Sequence, residues 1–141
     1  MSTIICVLKE NADVVVAKDG SGNYTSKGNI TLVGDGQDST IITGNLSYED
    51  GTRTFDTATV ASNGIGFIGI DLCFRNTAGL AKGQAVALRV SGDKSVLYRC
   101  RIEGYQDTLY AHRNRQFYRE CYITGTVDFI CGNVAAVFQL C

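Results

Sequence analysis

Residues 105–133 read YQDTLYAHRNRQFYRECYITGTVDFICGN, and two aspartates in it, Asp107 and Asp128, each stand before a short, largely apolar triplet. The triplets are Thr108-Leu109-Tyr110 and Phe129-Ile130-Cys131, and the step between the aspartates is 128 − 107 = 21. Sliding Val96–Leu109 forward by that step sets it on Phe117–Ile130. Cys100 then falls on Cys121, Ile102 on Ile123, Gly104 on Gly125, Asp107 on Asp128 and Leu109 on Ile130. Apolar, glycine and acidic positions that recur together at a fixed period are the mark of a solenoid. A coil of this length, made of short strands and turns, suits a parallel β-helix, in which each coil lays its strands beside those of the one before.

Neighbouring strands lie about 4.8 Å apart, so equivalent residues on successive coils stack. Asp107 and Asp128 are then close enough for their carboxylates to interact. Two carboxylates that close cannot both ionise freely, and one pKa should rise, leaving a proton donor beside an anion. The same stacking gives Cys100 and Cys121 a separation compatible with a disulfide, and equally with two buried thiols. Gln84 and Gln106 are separated by 106 − 84 = 22, again close to one coil. Two amides beside an acid pair can donate hydrogen bonds to an oxyanion.

A stacked acid pair does not by itself choose a reaction. Carboxyl groups about 5–5.5 Å apart serve retaining glycosidases. The same pair could cleave an ester, one carboxylate attacking the carbonyl while its neighbour protonates the departing alcohol. The glutamines favour the ester, because acyl transfer develops an oxyanion whereas glycoside cleavage develops positive charge on the sugar.

The rest of the chain agrees with an all-β domain. Its 141 residues are 45% hydrophobic and 19% charged, enough for one folded domain. Thirteen basic against fourteen acidic residues leave no basic field for nucleic acid. The longest apolar runs, such as Val134–Phe138, are too short to cross a membrane, so a soluble domain is expected. Sixteen glycines and no proline fit a strand-and-turn protein. Strand-like runs are read at Val14–Ala17, Ile30–Val33, Thr40–Thr43, Thr57–Ala61, Phe67–Phe74, Ala85–Val90, Ser95–Ile102, Gln116–Ile123 and Val134–Gln139. Six cysteines without a C-x-x-C pair, together with the single His112, argue against a zinc site or any other metal centre. His112 itself is expected on a solvated loop, and Lys18–Asn23 in a tight turn. Three N-x-[ST] sequons begin at Asn23, Asn29 and Asn45 and lean towards secretion. The opening MSTIICVLKE, however, carries no basic n-region and only a short apolar stretch, so no signal peptide is read in it.

The strings VVVAKDGSGNY (Val14–Tyr24), LVGDG (Leu32–Gly36), TIITGN (Thr40–Asn45), QAVALRV (Gln84–Val90), YQDTLYAH (Tyr105–His112), RQFYR (Arg115–Arg119) and GTVDFICGN (Gly125–Asn133) closely resemble plant pectin methylesterases. The resemblance implies a right-handed parallel β-helix over residues 13–141, incomplete at both ends relative to the family, behind a non-family extension at residues 1–12. It implies hydrolysis of the methyl esters of cell-wall homogalacturonan to methanol and free carboxylate, with no metal or organic cofactor. Methyl-esterified pectin is the implied partner, with a proteinaceous pectinesterase inhibitor as a further one, and the cell wall the implied location. Carried over position by position, Asp128 corresponds to the nucleophile, Asp107 to the general acid/base, and Gln84 and Gln106 to the oxyanion-stabilising glutamines. Thr54 and its neighbour Phe55 correspond to substrate-binding positions. Cysteines matching Cys73 and Cys100 are often paired in the family.

The chain also departs from that pattern. It contains no Leu-Gly-Arg-Pro-Trp motif, whose arginine keeps the nucleophile ionised in the family, and a segment carrying a helix and the first strands is absent within Tyr24–Lys27. Cys131 stands where the family usually has phenylalanine, Gly83 replaces a frequent histidine before Gln84, and Cys141 lacks its usual partner. These departures keep open a second expectation, a β-helix that binds pectin weakly without turning it over.

Overall fold

The computed structural model describes the backbone of residues 23–25 and the whole of residues 28–141. The strand read at Val14–Ala17, the extension over residues 1–12, Cys6 and most of the Lys18–Asn23 turn lie outside the described residues.

Fourteen short strands follow one another along the described chain. They are β1 (Asn23–Thr25), β2 (Thr31–Val33), β3 (Ile41–Gly44), β4 (Val60–Ser62), β5 (Ile68–Ile70), β6 (Cys73–Asn76) and β7 (Leu88–Val90). After them come β8 (Ser95–Tyr98), β9 (Arg101–Glu103), β10 (Leu109–Ala111), β11 (Arg115–Arg119), β12 (Tyr122–Thr124), β13 (Ile130–Cys131) and β14 (Ala135–Gln139). They form three sheets, ordered β1-β4-β7-β10-β13, β2-β5-β8-β11-β14 and β3-β6-β9-β12. Every ladder is parallel and every third strand returns to the same sheet. This is the parallel β-helix expected from the repeat.

The register reproduces the slide that aligns the two aspartates. Val96 pairs with Phe117, Ile102 with Ile123, and Leu109 with Ile130. Earlier coils are longer: Val60 pairs with Leu88 and Ile68 with Val96, a step of 88 − 60 = 28 and of 96 − 68 = 28. The extra length sits in the loop between β6 and β7, which holds the 3-10 turn Leu80–Lys82.

Inward-facing side chains stack coil upon coil. One column is Val60, Leu88, Leu109 and Ile130, and another is Ile42, Phe74, Ile102 and Ile123. Leu88, Phe74, Ile102 and Leu109 are fully buried. Each such side chain contributes about 1.5–3 kcal/mol by leaving water.

Three runs read as continuous strands, Phe67–Phe74, Ser95–Ile102 and Gln116–Ile123, are each two strands divided by a corner. The corner residues Asp71, Arg99 and Glu120 have φ of 56°, 49° and 52°, the left-handed region. The cost, roughly 1–2 kcal/mol for a residue other than glycine, is offset by hydrogen bonds between coils. The corner N–H of Asp71 donates to Tyr98 O (3.1 Å), and that of Arg99 to Arg119 O (3.0 Å). Arg99 also makes a two-pronged contact with Asp71 on the corner below, at 2.8 and 2.7 Å. The left-handed corners turn the chain, and no glycine marks them in the sequence.

Candidate active site

Asp107 and Asp128 occupy the same rung position, just ahead of β10 and β13. Both have left-handed backbone, with φ of 61° and 51°, a conformation aspartate tolerates better than most residues. The turn that carries them is tied across coils: Asp107 N–H donates to Val127 O (3.2 Å), Leu109 N–H to Phe129 O (2.9 Å) and Thr126 N–H to Tyr105 O (2.8 Å). Buried Thr108 closes it from within, its hydroxyl donating to Tyr105 O at 3.0 Å. Gly125 is required by this packing. A Cβ there would lie 2.5 Å from Tyr105 O and closer still to Thr108 Oγ1. The glycine matched in the repeat thus makes room for the acid-bearing turn.

Asp107 is half-buried and Asp128 is exposed. Burial, and secondly the charge of Asp128, hold the Asp107 carboxyl above the usual carboxylate range. The expected split between stacked acids therefore falls on Asp107.

Gln84 and Gln106 form a parallel bridge, with Ala85 N–H donating to Gln106 O at 3.0 Å. Their step of 106 − 84 = 22 exceeds by one the step of 109 − 88 = 21 between Leu88 and Leu109, which pair just beyond. The difference is a bulge: Ala87 and Leu88 N–H both point at Thr108 O, at 2.9 and 3.2 Å. Such an extra residue re-aims the backbone next to it. The run read as a strand from Ala85 accordingly becomes regular only at Leu88.

Thr54 and Phe55 lie on the 3-10 turn Thr54–Asp56, which hangs over the outer face of the first sheet. The Thr57 hydroxyl donates to Thr54 O (2.8 Å) and accepts from Val86 N–H (3.0 Å). Buried Asn76 reinforces the attachment by donating to Leu46 O (3.0 Å) and Val86 O (3.1 Å). The strand read from Thr57 starts only at Val60, because Thr57 is spent on this anchor.

Along the outer face of the same sheet, Ala61, Arg89, Tyr110 and Cys131 stand in register on successive coils. The Phe55 ring meets Tyr110 edge-on at 6.3 Å and His112 at 5.3 Å, and Tyr110 and His112 are 5.2 Å apart. Cys131 sits in the field of the acid pair: burial, then Asp107 and Asp128, push its thiol up to about 12.

His112 follows β10 outside any strand, as expected, but it is not solvated. It is half-buried, with Nδ1 3.0 Å from Ser91 Oγ, and burial followed by the charges of Arg113 and Arg89 lowers its pKa. Arg89 and Tyr110 were not singled out from sequence, and His112 only as a loop residue. Their only signal is strand alternation, which puts all three on the outer face with Cys131.

The five described cysteines are free thiols. Cys100 and Cys121 are buried thiols on successive coils, with Cys100 Sγ 3.5 Å from Tyr98 O and Cys121 Sγ 3.5 Å from Leu97 O, and Cys73 Sγ lies 3.8 Å from Glu103 Oε2. No group of three or more potential metal-ligating side chains occurs among the described residues.

A family profile described as Pectinesterase matches residues 24–141. An Arabidopsis thaliana protein named probable pectinesterase/pectinesterase inhibitor 42 is 61% identical over 168 residues, covering 95% of this chain and 32% of that protein. A solved pectin methylesterase from carrot superposes with a TM-score of 0.83 at 55% identity, over 84% of this chain and 38% of that one. A pectin methylesterase solved in complex with a hexasaccharide superposes at 0.75 with 30% identity, over 82% of this chain and 40% of that one. The chain spans about a third of the length of the first curated relatives it matches.

Proposed function

The chain belongs to the pectinesterase family, and from that premise we propose that the outer face of its first sheet, with the turn of Thr54 and Phe55 over it, forms a groove that carries the chemistry of methyl-ester hydrolysis on homogalacturonan in the plant cell wall. The observation that supports this most is the stacking of the two carboxyls on successive coils, with burial and the Asp128 charge holding Asp107 above the usual carboxylate range. One acid that keeps its proton to higher pH than an ordinary carboxyl, next to a second that can attack, is what acyl transfer to a carboxylate needs.

In this reading an Asp128 oxygen attacks the C6 carbonyl carbon of a methyl galacturonate and forms a tetrahedral oxyanion. The Gln84 and Gln106 side-chain amides donate to that oxygen, a contribution of about 10²–10³ in rate for one such donor. Collapse breaks the bond to the methoxy oxygen, which takes the Asp107 proton and leaves as methanol. The Asp107 carboxylate then removes a proton from water, whose oxygen attacks the acyl-enzyme. The anhydride bond between the galacturonyl carbon and the Asp128 oxygen breaks, Asp128 is freed as a carboxylate, the galacturonic acid departs and loses its proton to water, and Asp107 is protonated again. Thr54 and Phe55, overhanging the sheet, take part in holding the sugar chain.

Methanol release from highly methyl-esterified pectin, against Asp128→Ala as control, tests this. Release above the control supports the esterase. Equal release, with binding of the polymer retained, would leave a β-helix that holds pectin without turnover.

A further inference from the structure

Arg89 is a large cationic side chain only 1% exposed on the outer face of a β-helix, where strand alternation would normally leave it in water. It is covered because the turn carrying Phe55 folds over it. The guanidinium carbon lies 3.5 Å from the centre of the Phe55 ring, well inside the range of about 6 Å for a cation–π contact. Nη1 donates to Asn63 Oδ1 at 3.0 Å and to Ser91 Oγ at 3.1 Å. With one Ser91 lone pair engaged in this way, the Ser91 hydroxyl proton is available to His112 Nδ1, 3.0 Å away. His112 and Tyr110 in turn press their rings edge-on against Phe55. Phe55 itself remains 38% exposed.

We infer that Arg89 is a positioning residue. Its planar guanidinium backs the Phe55 ring and, through Ser91, orients His112, so that the three rings form a rigid shelf for a galacturonate ring beside the acid pair. The inference rests on reading this groove as a pectin-binding one. An aromatic ring on a loop loses conformational freedom when a sugar stacks on it, and a ring already held by a buried cation has less to lose. Arg89 reaches neither the scissile ester nor the acid pair in this account. It acts on substrate through Phe55.

The test is calorimetric binding of a methyl-esterified hexagalacturonate by the full chain and its variants, with methanol release measured in parallel. Arg89→Lys keeps the charge but loses the flat, forked surface. It should weaken binding about tenfold, equivalent to about 1.4 kcal/mol, and Phe55→Leu should do the same. The double variant should be no worse than either single one, because both remove one shared platform. The Asp107 carboxyl should titrate unchanged by NMR in all three, which a general loosening of the fold would not allow. Should Arg89→Lys fail to fold, Asn63→Ala removes one anchor of the guanidinium and should weaken binding two- to threefold. Full-strength binding by folded Arg89→Lys or by Asn63→Ala, additive losses in the double variant, or no binding by the unaltered chain would each overturn the shelf. Binding that follows this pattern without methanol release would leave the shelf standing and sink the esterase reading instead.

Discussion

Asp107 and Asp128 share one rung position on consecutive coils, yet Asp107 is half-buried and Asp128 exposed. The chemistry proposed for the site depends on the Asp107 carboxyl being held above the usual carboxylate range. Because burial is the larger cause of the raised Asp107 pKa and the Asp128 charge the smaller, Asp128→Asn should lower the Asp107 pKa only part of the way towards 3.8. NMR titration of the Asp107 carboxyl carbon measures this directly. An unchanged titration would mean that the two carboxyls do not feel each other.

The same shift fixes the direction of the pH dependence. A carboxyl whose pKa is higher folded than unfolded binds more protons in the folded state between the two values. Its stabilising contribution is complete below the unfolded value and is lost as pH rises through the folded one. The proton-donating form of Asp107 disappears over that same rise. Urea midpoints of the unaltered chain should therefore lose a component with rising pH that Asp107→Asn lacks, and methanol release should acquire an alkaline limb at the Asp107 pKa. Parallel midpoints for the two proteins across that window would contradict the assignment.

Gly125→Ala should damage fold and site together. The added methyl would overlap Thr108 Oγ1 and lie 2.5 Å from the Tyr105 carbonyl oxygen, and the second is backbone that cannot swing aside. Overpacking of this kind costs about 1–3 kcal/mol, and here the displaced atoms belong to the turn that sets Asp107. At Gly104 the nearest atom, again Thr108 Oγ1, is 3.0 Å away, so Gly104→Ala should cost less. Urea denaturation ranks the two variants, and the reverse order would show that the turn relaxes freely.

How far the sequence discloses this arrangement depends on the coil. Between Val96 and Ile130 successive coils have equal length, so a fixed slide finds the stack that the register displays. Below Leu88 the loops carrying Thr54–Asp56 and Leu80–Lys82 lengthen the coils and hide the period. The corners at Asp71, Arg99 and Glu120 escape notice because left-handed backbone is signalled by glycine or asparagine, and these residues adopt it only under the hydrogen bonds of the neighbouring coil. Arg89 is harder still. Alternation in Leu88-Arg89-Val90 puts it outside the helix correctly, but its burial comes from Phe55, on a turn that precedes even β4 in the chain, which no local pattern reports.

Leu109 tests the interior column. It is fully buried between Leu88 below and Ile130 above, so Leu109→Ala should leave a cavity and cost about 2–5 kcal/mol. Ile130 occupies the equivalent position one coil on but is 38% exposed, so Ile130→Ala should cost roughly half as much or less. Equal losses in urea denaturation would argue that the column is not the continuous core the register describes.

Cys131 offers a chemical reporter of the acid pair. Burial first, then Asp107 and Asp128, raise its thiol pKa to about 12. The thiolate is the nucleophile towards iodoacetamide, and at pH 8 such a thiol holds roughly a thousandth of the thiolate of one with a pKa near 9. Alkylation of Cys131 in the folded chain should therefore be slow despite its partial exposure. Replacing both carboxylates, in Asp107→Asn with Asp128→Asn, removes the two charge contributions but leaves burial, the largest. The rate should rise severalfold without reaching that of the unfolded chain. Mass spectrometry of the peptide containing Cys131, over a time course at fixed pH, gives the comparison. If both proteins are alkylated equally fast, the thiol does not sense the carboxylates, and the proximity of Cys131 to Asp107 and Asp128 is wrong.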